Sequence, residues 1–533
     1  MSGSFSNKKR SKTLVLILQA LRIIRKAVQK LFSRLFVVAL GIILQIAWMF
    51  LVLYQFSAQN AFINIIVTAV GILTAFYVIS RPFNPAAKLA WTVVLLTVPL
   101  LGVIIYFVFG RPELTKHARE GMEAVNLGIE VHLKQDAQVQ KHIKETDMNI
   151  LRQSEYILRQ AKFPVYEHSQ TKYYPCGEQM FEDMLDAIDR AEHFIFLEYF
   201  IISPGVMFDR LLKALEQKVR QGVDVRLIYD DIGCVATLPV DFVRYMETIG
   251  IRCAVFNRFW PILSIVMNNR DHRKILVVDG IWGFTGGINI ADEYINEKVR
   301  FGYWKDTGIC VKGEAVWNFT AMFLEMWDYI RNEKDDCLKY RPVLPEYRTQ
   351  EHGFVQPYGD TPLDRENVGE NVYLNMISKA KHYLYIYTPY LIIDQEMQTA
   401  LCNAAKSGVD VRLVTPGIPD KKMIFLMTRS NYKVLLESGI KIYEYTPGFI
   451  HAKCFLCDDE TAAVGSINLD YRSLYLHFEC GVWMYRSEAV MQLKEDMEQT
   501  FACSHQILKE EWKEPNFFLW VVQTVLKLFA PLL

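Results

Sequence analysis

The chain has 533 residues, 51% of them hydrophobic, with 59 basic and 59 acidic side chains. It is too long for one ordinary domain, too apolar for a typical soluble protein and too polar for an all-membrane one. The zero net charge hides a segregation: residues 1–111 carry 12 Lys/Arg and no Asp or Glu, leaving 47 basic against 59 acidic residues beyond them. An acidic body argues against a nucleic-acid enzyme, whose surface has to neutralise phosphates, while a basic, acid-free leader suits a membrane module.

In chain order, residues 1–34 form a basic amphipathic leader, in which LVLILQALRIIRKAVQKLF separates apolar from cationic faces. Residues 35–110 read as a membrane domain of two to three transmembrane helices, from charge-free runs at about 35–56, 61–80 and 89–110. Three full spans would place the body outside the cell and two inside; the charge pattern fits both. Residues 111–165 are a polar, helix-prone connector. All ten cysteines follow residue 175 in no regular framework, which reads as reduced thiols. Cys454-x-x-Cys457 has no second pair and reads as coincidence.

The body then repeats itself. Gly222-Val-Asp-Val-Arg-Leu227 recurs letter for letter as Gly408-Val-Asp-Val-Arg-Leu413. Each copy follows an amphipathic helical stretch that is itself preceded by an apolar strand-like run. Strand–helix–strand, twice, predicts an α/β fold of two halves, 166–335 and 350–510, with mainly parallel pairing and a boundary in the polar stretch 331–353. Residues 515–533 form an apolar C-terminal segment that reads as an interfacial helix, against the alternative of a buried one.

The chemistry-bearing motif is duplicated too. DHRKILVVDGIWGFTGGINIADEY supplies His272, Lys274, Asp279, Gly286, Gly287 and Asn289. IHAKCFLCDDETAAVGSINLDYRS supplies His451, Lys453, Asp458, Gly465, Ser466 and Asn468, each offset by 179 residues from its counterpart. A lone histidine on a strand is usually structural, but a matched pair of six-point patterns is not coincidence. In an extended strand positions i and i+2 share a face, so each histidine sits beside its lysine. The aspartate lies an odd step of seven away, which makes Asp279 and Asp458 structural. The return strand brings a glycine, through which a phosphate oxygen could approach the backbone, and an asparagine amide beside the histidine.

Two such halves suit metal-free phosphodiester displacement. One imidazole attacks phosphorus to give a phosphohistidine, the other moves the alcohol's proton, and the lysines neutralise the non-bridging oxygens. The attacking histidine needs a carboxylate on its other nitrogen. Glu479, 28 residues past His451, and Asp306, 34 residues past His272, are the expected orienters, each within its own half.

The duplicated motif resembles the phospholipase D superfamily over about residues 165–510. With RPFNPAAKLAWTVVLLTVPLLGVIIYFVFGRP ahead of it and the KLFAPLL ending, the chain is similar to bacterial cardiolipin synthases. The resemblance implies two phospholipase D-like halves behind N-terminal transmembrane helices, in a multi-pass protein of the cell membrane. It implies transfer of a phosphatidyl group between two phosphatidylglycerol molecules, with His272 as nucleophile and His451 as acid/base. Cofactor, metal and nucleic acid have no expected place; membrane lipid is the partner, and a homo-oligomer is compatible with it. Gly287 departs from the pattern where the second half has Ser466. Hydrolytic phospholipase D and phosphatidylserine synthase share the same two-histidine chemistry. A superfamily nuclease is disfavoured by the acidic body, and an inactive membrane scaffold by the intact motifs. The apolar run FNRFWPILSIVMNNRD before His272 reads equally as a buried strand or as a membrane-dipping lip through Trp260 and Ile262.

Overall fold

The computed structural model describes residues 61–82, 84–110, 116–258, 268–342, 352–364 and 366–532. The amphipathic leader, the first apolar run and the stretch 259–267 with Trp260 and Ile262 lie outside the described residues.

Eighteen strands are described: β1 (Ser169–Tyr174), β2 (Phe194–Tyr199), β3 (Asp224–Asp230), β4 (Arg252–Phe256), β5 (Arg270–Asp271), β6 (Lys274–Val278), β7 (Trp282–Gly286), β8 (Tyr303–Lys305) and β9 (Gly308–Gly313), then β10 (Phe354–Asp360), β11 (Tyr383–Tyr387), β12 (Asp410–Pro416), β13 (Lys441–Tyr445), β14 (Gly448–Ile450), β15 (Cys454–Cys457), β16 (Thr461–Gly465), β17 (His477–Tyr485) and β18 (Ser504–Ile507). The first sheet has the order β1-β9-β7-β6-β2-β3-β4, and the second repeats it as β10-β17-β16-β15-β11-β12-β13, with β18 added at the edge.

The expectation of mainly parallel pairing is corrected. Along the two strand orders just given, only β2-β3-β4 and β11-β12-β13 pair in parallel. The other ladders of the two sheets are antiparallel. The reason is local: the motif strand β6 turns straight into β7 through Asp279 and Gly280, both at positive φ, and so tight a reversal can join only antiparallel neighbours. The repeated Gly-Val-Asp-Val-Arg-Leu marks the helix-to-strand corner in each half. Gly222 and Gly408, at φ +91° and +97°, turn the chain from helices Val206–Arg220 and Gln395–Lys406 into β3 and β12.

Helix Val316–Arg331 is buried along most of its length between the halves. Its Asn318 amide donates to Pro164 O of the connector and Pro357 O of the second half. The polar connector becomes helices Lys116–Glu130, Ala137–Thr146 and Met148–Ala161 docked on the body.

Of the expected spans, Ala61–Ser80 is one charge-free helix of 20 residues, in which the side chains at 61 and 63 are outside the described set. The third run is not continuous. Pro99 drives Val98 out of helical geometry (φ −135°, ψ 70°), splitting it into Pro85–Thr97 and Pro99–Phe109. At 13 and 11 residues, these pieces fall short of the ~30 Å hydrocarbon core. Among the described residues no helix is long and apolar enough to cross a membrane.

Candidate active site

Two short exchanges between the halves build the site. β5 runs parallel to the start of β17, with Asp271 opposite Phe478, and the next residue, His272, donates its N–H to Phe478 O at 2.9 Å. β14 runs parallel to β8, with Ile450 opposite Lys305, and the next residue, His451, donates its N–H to Lys305 O at 2.7 Å. Each histidine is thereby registered against the residue preceding a carboxylate of the other half.

The side chains follow. His272 Nδ1 lies 2.8 Å and 3.0 Å from the two oxygens of Glu479, and His451 Nδ1 lies 2.6 Å from Asp306 Oδ2. The pairing crosses the one expected from chain order, which gave Glu479 to His451 and Asp306 to His272. Both histidines, with Asn289 and Asn468, line one cavity of about 490 Å³. With Nδ1 engaged, Nε2 is the nitrogen each imidazole has left for chemistry. The Lys274 and Lys453 ammonium groups each donate to the carbonyl of the histidine two residues before.

The motif glycines serve a different purpose from the expected one. A Cβ on Gly286 would collide with Thr307 O, and one on Gly465 with Cys480 O. These carbonyls follow Asp306 and Glu479, so the glycines let the carboxylate-bearing strand close in. The next position separates the halves: a Cβ on Gly287 would collide with Asp306 Oδ1, whereas Ser466 Oγ donates to Glu479 Oε2 at 2.5 Å. The shorter aspartate fills the space that a serine would need. The asparagines are held in place, Asn289 by Ile201 N–H and the Tyr294 hydroxyl, Asn468 by the Ser473 hydroxyl. Asn468 Oδ1 is buried without a partner among the described residues. Asp279 accepts from the N–H groups of Glu192, His193 and Phe194, and Asp458 from those of Lys381, His382 and Tyr383, facing away from the cavity as strand parity predicted.

Burial dominates the electrostatics. It holds His272 well below the usual imidazole range, with help from Lys274, and takes His451 down to about 4. It lowers Lys274 to about 8 and Lys453 to about 7. Burial pushes Glu479 up against the pull of Lys274, so the His272–Glu479 pair favours its uncharged arrangement. For Asp306 burial is outweighed by His451 and Lys453, which hold it ionised. The two half-sites therefore differ in charge.

Chain order alone missed two wall residues. Trp304 and His477 each stand two residues before a carboxylate and share its strand face. Trp304 packs 5.4 Å from the His451 ring and His477 5.6 Å from the His272 ring. The signal was available: Trp304-x-Asp306 and His477-x-Glu479 are the same i, i+2 step. Ligand atoms of His272, His477 and Glu479 lie within 4.8 Å of one another, a spacing that could hold a metal ion. Arg472 donates to His477 Nε2 at 3.2 Å and Lys274 presses on His272, a positive setting better suited to an anion than a cation.

Comparisons with known proteins agree with this geometry. The family model described as cardiolipin synthase, PLD-like domain, matches residues 184–327 and 373–501, and a phospholipase D-nuclease N-terminal model matches 69–111. A cardiolipin synthase of Alkalihalophilus pseudofirmus is 34% identical over 84% of this chain and 90% of its own length. Cardiolipin synthase 2 of Staphylococcus epidermidis is 31% identical over 89% of this chain and 99% of its own. The crystal structure of a Haemophilus influenzae phosphatidylserine synthase superposes with a TM-score of 0.51 at 16% identity, covering 68% of this chain and 93% of that one, a likeness of fold. The chain belongs to the cardiolipin synthase family with phospholipase D-like domains, a family of phosphatidyltransferases.

Proposed function

We propose that this protein transfers a phosphatidyl group from one phosphatidylglycerol to another, giving cardiolipin and glycerol. The observation that carries the reading is the crossed carboxylate–histidine pairs facing one cavity. His272, kept neutral by burial and oriented by Glu479, attacks phosphorus through Nε2. The P–O bond to the glycerol headgroup breaks, and His451, held as the imidazolium by Asp306 and the bound phosphate anion, delivers the proton to the departing alkoxide. In the second half-reaction His451 takes the proton from a hydroxyl of the incoming phosphatidylglycerol, whose oxygen displaces His272 from phosphorus. Asp306, ionised beside His451, stabilises the imidazolium that gives up its proton in the first half-reaction and is restored in the second. Lys274 and Lys453 offset the charge on the non-bridging oxygens. Asn468 Oδ1, buried in the wall without a partner among the described residues, has hydrogen-bonding capacity left for a glycerol hydroxyl.

The substrate is lipid, and the charge-free helix Ala61–Ser80, with Phe62, Ile65, Leu73 and Phe76 exposed, supports attachment to a membrane. Incubating the purified protein with labelled phosphatidylglycerol alone, in EDTA, tests the reading. Cardiolipin with an equal amount of glycerol is expected; phosphatidic acid as the sole lipid product would replace transfer by hydrolysis.

A further inference from the structure

The C-terminal helix Phe517–Phe529 has its amphipathicity inverted. Gln523 is buried and donates to Leu426 O at 3.2 Å, while Lys527 Nζ donates to Ser430 O at 3.0 Å. With Leu526 and Ala530 they form the face docked on helix Lys422–Ser430, at spacings of three, four and seven residues. The opposite face carries Phe517, Phe518, Val521 and Val525, all exposed, the first two at 79% and 77%, and Trp520 is exposed at the edge of the docked face. The hydroxyl on that side, Thr524 Oγ1, is satisfied by Trp520 O within the helix. Polar side chains toward protein and aromatic ones outward reverse the pattern of a helix that faces water.

Three further observations name what covers this face. The helix packs against Pro85–Thr97, which packs on Ala61–Ser80, and Leu532 enters the apolar cluster of Ala75, Trp91 and Tyr106. The outward face thus continues the exposed apolar surface of the charge-free helix. At 13 residues the helix is about 20 Å long, too short to span and suited to lying in an interface. Its end also forms part of the catalytic cavity, where Ala530 lines the wall beside Ile424, Met427 and Tyr471, and exposed Lys421 also lines it, a cation for anionic headgroups.

We infer that the C-terminal helix lies in the bilayer surface and that its Ala530 end, with Met427 and Tyr471, is the apolar slide along which substrate acyl chains leave the catalytic cavity for the membrane. The inference rests on the phosphatidyl-transfer reading and adds a named route for the chains.

The full-length protein with Phe517→Ser, Phe518→Ser and Trp520→Ser tests it, against Met491→Ser, an exposed residue on helix Glu488–Ala502 away from the cavity wall. Turnover of long-chain phosphatidylglycerol in vesicles should drop about tenfold or more, while that of monomeric dihexanoyl phosphatidylglycerol changes less than about twofold. Equal loss on both substrates, or no loss on vesicles, overturns the inference. A second readout needs no activity. Brominated phosphatidylglycerol vesicles should quench the wild type more than Trp520→Phe, the difference being the emission of Trp520. No difference, as when another segment of the chain covers the helix, also overturns it. Failure of the wild type to turn over either lipid, with the quenching difference present, would instead count against the phosphatidyl-transfer reading alone.

Discussion

His272 of the first half takes its carboxylate from Glu479 of the second, Nδ1 to Oε1 at 2.8 Å, because His272 extends a two-residue parallel pairing with the start of β17, at His477 and Phe478. Asp306 and His451 repeat the relationship in the opposite sense at 2.6 Å. Neither half holds an oriented imidazole of its own, so the halves are obligate partners in chemistry.

The crossing predicts which step each carboxylate serves. Glu479→Gln should slow formation of the covalent intermediate on His272, whereas Asp306→Asn should slow both proton transfers by His451, the one to the departing glycerol and the one from the incoming hydroxyl. Each should lower steady-state turnover by about 10³-fold or more. Rapid-quench measurement with a p-nitrophenyl headgroup, which leaves without a proton, separates the two: Asp306→Asn should keep the burst and Glu479→Gln lose it, and the reverse would restore the within-half pairing.

The lysines set an alkaline limb. Burial lowers Lys453 to about 7 and Lys274 to about 8, so both are charged below those values and lose charge as pH rises through them. His272 is neutral well below that range. Above about pH 7 kcat/KM should therefore fall more steeply than His451 deprotonation alone makes it, and Lys453→Arg should carry that lysine limb upward even where it lowers the plateau. An unchanged limb in Lys453→Arg would remove Lys453 from it.

The Gly287/Ser466 pair predicts unequal costs. Gly287→Ala drives a methyl into Asp306 Oδ1, and misplacing that carboxylate should cost about 100-fold in kcat. Ser466→Ala only removes the hydroxyl donated to Glu479 and should cost about tenfold. Steady-state kinetics on the two variants, with thermal melts to confirm folding, gives the order; the reverse order would contradict the packing argument.

The motif aspartates should behave as structural groups. Each binds three backbone N–H groups at the head of a central strand, so Asp279→Ala or Asp458→Ala should lower stability by about 2–3 kcal/mol. Denaturant titration measures it. The protein that stays folded should keep the wild-type pH profile; a shifted profile would assign them a part in the site.

Much of this was legible in the sequence. The 179-residue offset announced two halves, and strand parity separated His272 and Lys274 from Asp279. What was not legible depends on contacts without periodicity. The exchanges at Arg270–Asp271 and Gly448–Ile450 are two and three residues long, too short to leave a pattern, yet they decide which carboxylate meets which histidine. The parallel-sheet expectation followed the repeated strand–helix–strand units and gave too little weight to the return strand after Asp279-Gly280. Pro99 inside the third apolar run was visible as a breaker and outweighed by hydropathy.

The most direct test is to mix the protein with phosphatidylglycerol labelled at phosphorus, quench within one turnover and map the labelled residue. Label should appear on His272 in the wild type and be absent in His272→Ala. Label on His451 in the wild type, or near-normal cardiolipin synthesis by His272→Ala, would contradict the crossed two-histidine mechanism.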